Sequence, residues 1–134
     1  MKLAPLTLVV CALILSGCAT SQKEILASES QVEQRSYQTR TFDMTDKKRM
    51  MRTVMATLQD LGFVIDKADD VIGVVSATKL DGYYLSMSVV VRPKGNQMTV
   101  RANAQYNLKA VDDPKPYHDF FTSLEKSVFL EKNI

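Results

Sequence analysis

Tyr83-Tyr84-Leu85-Ser86-Met87-Ser88-Val89-Val90-Val91-Arg92, followed by Pro93-Lys94-Gly95-Asn96 and then by Gln97-Met98-Thr99-Val100-Arg101-Ala102-Asn103-Ala104-Gln105-Tyr106-Asn107, decides the fold. Both flanking runs alternate with a period of two, which predicts strands. Tyr83, Leu85, Met87, Val89 and Val91 point one way, and Tyr84, Ser86, Ser88 and Arg92 the other. In the second run Met98, Val100, Ala102, Ala104 and Tyr106 are inward, while Gln97, Thr99, Arg101, Asn103 and Gln105 face out. The proline, glycine and asparagine between the runs form a hairpin turn. One dry face and one wet face describe an antiparallel sheet covered on a single side.

The flanks supply the cover. Thr41-Phe42-Asp43-Met44 alternates as a short strand. Thr45 then suits an N-cap with Asp46 in the first turn, opening a helix that runs to about Leu61. Met50, Met51, Val54, Met55, Leu58 and Leu61 fall on one face of it. Gly62 is placed to end it in the left-handed conformation, with Phe63 packing back on Leu58. Phe63 to Asp66 and Val71 to Thr78 read as further strands, separated by a turn at Asp69-Asp70, and Leu80-Asp81-Gly82 reads as a tight turn. Asp112-Asp113-Pro114-Lys115-Pro116 carries caps and prolines suited to a helix start. The last helix spans about Pro116 to Glu131, with a stripe of Tyr117, Phe120, Phe121, Leu124 and Val128. The expected architecture is α+β in the order β-α-β-β-β-β-α: a four- to five-stranded antiparallel sheet with two helices packed on one face, occupying residues 40–134.

Upstream, Met1-Lys2 leads into an apolar run from Leu3 to Leu15, a length that fits a secretory signal core and falls short of a membrane span. Leu15-Ser16-Gly17-Cys18 resembles the lipobox of bacterial lipoproteins. The resemblance implies that residues 1–17 are a signal peptide, that Cys18 is lipidated, and that the protein holds to a membrane by that lipid. Ala19, where this family carries Asp for inner-membrane retention, implies the outer membrane, facing the periplasm. Residues 18–39, polar apart from Ile25 and Leu26, then read as a tether of about 25 Å if coil-like, with a short helix over 23–34 as the alternative.

Removal of residues 1–17 from the 134 leaves 117, enough for one domain with its own core. Of the two cysteines, Cys11 falls in the signal and Cys18 takes the lipid, so the mature domain has no thiol for a disulfide, a thiolate metal site or a nucleophile. The formal net charge of +2 gives no bulk case for nucleic acid. His118 is the only histidine and no partner stands at a catalytic spacing from it. Asp66, Asp69 and Asp70, and again Asp112 and Asp113, suit turns and lack the spacing of a calcium loop. No metal, cofactor or enzymatic activity is expected.

Two surface features remain. Lys47, Lys48, Arg49 and Arg52 cluster at a helix start, against the macrodipole. They read either as a solvated face or as a patch for anionic headgroups, peptidoglycan carboxylates or an acidic partner. Phe129 and Leu130 lie off the aromatic stripe and suit an exposed apolar patch. Met50, Met51 and Met55 fit core filling, with an adaptable surface as the alternative.

Leu58-Gln59-Asp60-Leu61-Gly62-Phe63, Asp69-Asp70-Val71-Ile72-Gly73-Val74-Val75, and Phe120-Phe121 through Val128-Phe129-Leu130 together resemble a family of small Gram-negative outer-membrane lipoproteins. The element order is also similar to the helix-grip domains of a lipoprotein subunit of the outer-membrane barrel-assembly machinery, a likeness of fold alone. These motifs are structural and support a fold, not an activity. The expected function is that of a non-enzymatic envelope lipoprotein, docking as an accessory subunit on a protein partner in the envelope. The alternative is a small apolar ligand- or lipid-binding module, its cavity lined by Tyr83, Met87, Met98, Tyr106 and Phe120. Replacement of Cys18 by Ser is expected to abolish incorporation of labelled palmitate and to release the protein from the membrane fraction; retention of label would place the acyl chain elsewhere.

Overall fold

The computed structural model describes residues 31–80, 82 and 84–133. The expected signal peptide, Cys18 and the expected tether as far as residue 30 lie outside them, as do Asp81 and Tyr83. The compact unit begins at Gln34, not at residue 40. Its elements are helical residues 31–38 (α1), β1 Thr39–Phe42, α2 Lys47–Asp60, β2 Val64–Asp69, β3 Val74–Leu80, β4 Tyr84–Lys94, β5 Gln97–Tyr106, β6 Lys109–Ala110 and α3 Lys115–Lys132. The α+β class and the antiparallel sheet hold. Among the described residues the sheet has six strands instead of four to five, and three helices occur instead of two.

The strand order is β1-β5-β4-β3-β2, with β6 also on β5. The β4–β5 hairpin closes through Gly95 and Asn96, with Lys94 opposite Gln97. Gly95 takes the first corner at φ +58°, as a type II′ turn requires. Leu85, Met87, Val89 and Val91 of β4 and Met98, Val100, Ala102 and Ala104 of β5 are buried, and Val75 and Ala77 of β3 continue that face. Met50, Met51, Val54 and Leu58 from α2, and Tyr117, Phe120, Phe121 and Leu124 from α3, close the core over it.

Helix α2 ends as its sequence dictates. The amide of Gly62 donates to Gln59 O at 3.0 Å and that of Phe63 to Leu58 O at 2.9 Å, a complete Schellman pair with Gly62 at φ +89°. Its start differs from expectation. Asp46, not Thr45, is the N-cap, and its carboxylate accepts from the Arg49 amide at 3.0 Å. A charged acceptor at the positive end of the helix suits the dipole better than a hydroxyl.

Strand β1 starts two residues early, at Thr39. Strand β2, expected over Phe63 to Asp66, runs on to Asp69 through a register shift between Ile65 and Lys67, which breaks the period of two and hides the strand's second half. Val71 and Ile72, expected to open β3, form a turn instead. Asp69 Oδ1 accepts from both of their amides, at 3.0 and 3.1 Å, and Gly73 follows at φ +75°.

The outer edge of β5 is shared between two short strands. β1 pairs with Met98 to Arg101 and β6 with Gln105 and Tyr106. The stretch between them would leave buried backbone groups unpaired. Val111 N donates to Ala104 O at 2.9 Å, and Ala104 N donates to the hydroxyl of Tyr117 at 3.1 Å. That hydroxyl donates in turn to Val111 O at 3.0 Å and accepts from Gln38 Nε2 at 3.2 Å. One buried phenol thus fills a gap in the sheet edge and ties α1 and α3 to it.

Tyr117→Phe strands a buried amide and a buried carbonyl, and is expected to cost on the order of 3 kcal/mol in urea unfolding, with the fold retained. Gly73→Ala is expected to cost more than about 2 kcal/mol, because the left-handed conformation is strained for alanine. In addition, a Cβ there would lie 2.3 Å from Val91 O.

Candidate functional site

The first two turns of α2 gather the four cations, and the structure divides them into two pairs with different work. Lys47 Nζ donates to Val71 O at 2.9 Å, holding the β2–β3 turn against the helix. Arg49 Nε lies 3.1 Å from Glu131 Oε2, joining the start of α2 to the end of α3. The Thr53 hydroxyl, one turn further on and buried, is 3.0 Å from both Glu131 oxygens and donates to that carboxylate. Lys47 and Arg49 are therefore structural clamps. Lys48 and Arg52 are exposed, with no hydrogen bond or ion pair among the described residues. They flank a shallow groove between α2 and β2, lined also by Met51, Met55, Ala68 and Asp70. Met50 and Met51 are buried and Met55 is half-buried, so the methionines serve the core and only the edge of their row meets this groove.

Each clamp fixes a segment that carries exposed apolar side chains. The turn held by Lys47 presents Val71 and Ile72, which are 83% and 60% exposed. The helix end held by Arg49 presents Phe129 and Leu130, which are 66% and 51% exposed. The sequence placed Phe129 and Leu130 at the surface, and they are there. It did not place Val71 and Ile72 there, because two β-branched residues beside a valine pair mimic a strand. The signals for the turn were Asp69 and Gly73. One pole of the unit therefore combines two free cations with two flanking apolar ledges.

The opposite pole is where the chain enters. Gln34 Nε2 donates to Asp112 Oδ1 at 3.4 Å, and the Tyr37 hydroxyl donates to Asp112 O at 2.9 Å. Here Leu61, Phe63, Lys79, Leu85, Tyr106 and the first turn of α3 surround a cleft. Its charges are internally matched. Lys115 Nζ lies 2.6 Å from Asp119, and that hydrogen bond, with the carboxylate's charge, raises the lysine above its ordinary value. Of the side chains expected to line an apolar cavity, Met87, Met98 and Phe120 are packed within the core. Tyr106 is half-buried beside the cleft, and Tyr83 is outside the described residues.

His118 is exposed in the first turn of α3. Asp66 accepts from the Thr78 hydroxyl, Asp69 from its turn, and Asp113 from the Lys115 amide at 3.0 Å. Among the described residues no three acidic, histidine or cysteine side chains gather as a metal site. No protein-family model matches the chain, and no curated protein is significantly similar to it.

Lys48→Glu with Arg52→Glu is expected to leave unfolding stability within about 0.5 kcal/mol of the parent, since neither side chain has a partner to lose. Removal of Glu131 is expected to destabilise, and a double-mutant cycle with Arg49→Ala should return a coupling of about 0.5–1 kcal/mol for this half-exposed pair.

Proposed function

We propose that the protein is a lipid-anchored envelope lipoprotein without enzymatic activity, which docks through the Lys48–Arg52 pole onto an acidic protein partner in the periplasm. The observation that carries this reading is the pairing of two unpartnered cations with two exposed apolar ledges on rigid, clamped backbone. An interface needs an apolar centre and groups that set orientation, and it gains affinity when both are held in place before binding. The free cations favour a partner with carboxylates. The order of signal core, small residues and Cys18 supports the lipid anchor, and Ala19 supports the outer membrane.

The docking pole is distinct from the end at which the chain enters. The chain enters the unit beside Asp112, at the N-terminal end of α3, and the apolar ledges stand at its C-terminal end. An 18-residue helix separates them, a length of about 27 Å.

A photo-crosslinking residue at Ile72 or Leu130 in the native lipoprotein is expected to capture a protein in cells. The adduct is expected to fall at least tenfold with Lys48→Glu and Arg52→Glu, while membrane fractionation is unchanged. Adducts with lipid alone, or a protein adduct indifferent to the charge reversal, would overturn the assignment of this pole.

A further inference from the structure

The sheet face opposite the helices carries a second arrangement, independent of the docking pole. Its side chains are Thr78, Ser86 and Gln105 in one row and Ser76, Ser88 and Asn103 in the next. Val74, Val90, Arg101 and Thr39 form the third row, and Arg92, Thr99 and Thr41 the fourth. Val90 stands opposite Arg101 and Arg92 opposite Thr99. The two arginines are therefore diagonal neighbours on adjacent strands, with Cα atoms roughly 7–8 Å apart.

Like charges directly opposite one another destabilise a sheet, and diagonal ones repel more weakly, unless something compensates them. Nothing within the described residues does. Neither Arg92 nor Arg101 makes an ion pair or hydrogen bond there, and both are exposed. Asp69 shares the row of Arg101, but two valine positions intervene and its carboxylate is bound to the turn amides. Arg92 and Arg101, with Thr39, Val90, Thr99 and Asn103, line an open bowl of about 400 Å³. The Thr99 hydroxyl within it is buried and has no hydrogen-bond partner. A buried polar atom left unsatisfied costs free energy that a bound ligand can return.

The bowl is rich in donors and its lining holds no carboxylate. Two guanidinium groups supply planar forks, two threonine hydroxyls add rotatable donors, and the amide of Asn103 adds two more. A planar carboxylate is filled by a single fork. A phosphate group has enough oxygens for both forks and a hydroxyl, and its second negative charge answers the second arginine. We propose that the Arg92–Arg101 bowl on the open sheet face binds a phosphate group, carried by a small phosphomonoester or by a lipid headgroup.

The test is calorimetric titration of the full chain in uncharged detergent at fixed ionic strength, with inorganic phosphate as the probe and acetate as the control. Saturable phosphate binding is expected, at least fivefold tighter than acetate. Arg92→Gln and Arg101→Gln are each expected to weaken it at least tenfold, and Thr99→Val about threefold. Without phosphate, the two arginine variants are expected to melt no lower than the parent, because the like-charge contact is relieved; this separates loss of the site from loss of the fold. Dihexanoylphosphatidic acid, titrated in the same way, distinguishes the sources. Binding at least tenfold tighter than inorganic phosphate assigns a lipid headgroup, and equal binding assigns a small soluble phosphate. Phosphate binding that is non-saturable, matched by acetate, or unchanged in both arginine variants would overturn the proposal.

Discussion

A single buried hydroxyl, that of Tyr117, governs how the layers of this protein meet. Strands β1 and β6 both lie along the outer edge of β5, and neither reaches the other. Buried backbone groups between them must be satisfied. The phenol of α3 takes the Ala104 amide and gives its proton to Val111 O, so the helix is pinned to one register of the sheet. From that fixed point, helical spacing carries Phe120, Phe121 and Leu124 onto the same face. Tyr37 packs tilted against the Tyr117 ring, with centroids 5.4 Å apart, and Gln38 bonds its hydroxyl, so the N-terminal approach is locked by the same residue. Arg40 completes the seam, its guanidinium 5.3 Å from the centre of the Phe121 ring.

What the sequence made legible follows from the range of the forces involved. The β4–β5 hairpin, the α2 stripe and the Gly62 cap are local or periodic, and each was readable. Strand β6 is two residues long, and no period can be read from two residues. The bulge in β2 cancels the alternation that would have carried the strand past Asp66. Asp69 and Gly73 outvote the β propensity of Val71 and Ile72, because two side-chain-to-amide bonds and a left-handed glycine define a turn regardless of what lies between them. The role of Tyr117 was hidden for a different reason. Its place in the aromatic stripe was visible, but its hydroxyl answers partners in three other segments, and only the assembled sheet edge creates the need.

The basic cluster shows the same limit at the candidate site. Lys47, Lys48, Arg49 and Arg52 look alike in one dimension, and the helix start is mildly unfavourable for the three in its first turn, Lys47, Lys48 and Arg49. The fold offsets part of that cost locally, with the Asp46 cap and with Glu131 from the far end of α3. The carbonyl of Val71 takes up Lys47. Lys48 and Arg52 are left without compensation. Unlike the clamps, they contribute nothing that folding can explain, which makes them the members of the cluster whose charge is available to a partner.

The two proposed surfaces differ in what holds them. The docking pole is built at the junction of α2, α3 and the β2–β3 turn, so its shape depends on the Lys47 and Arg49 clamps. The arginine bowl is built on β1, β4 and β5 alone, and its geometry is set by the backbone ladder. A change that loosens the helix pair should disturb the first and spare the second. The two sites are therefore separable by physics as well as by position: one is a property of how the helices are fastened, the other of how the strands are registered.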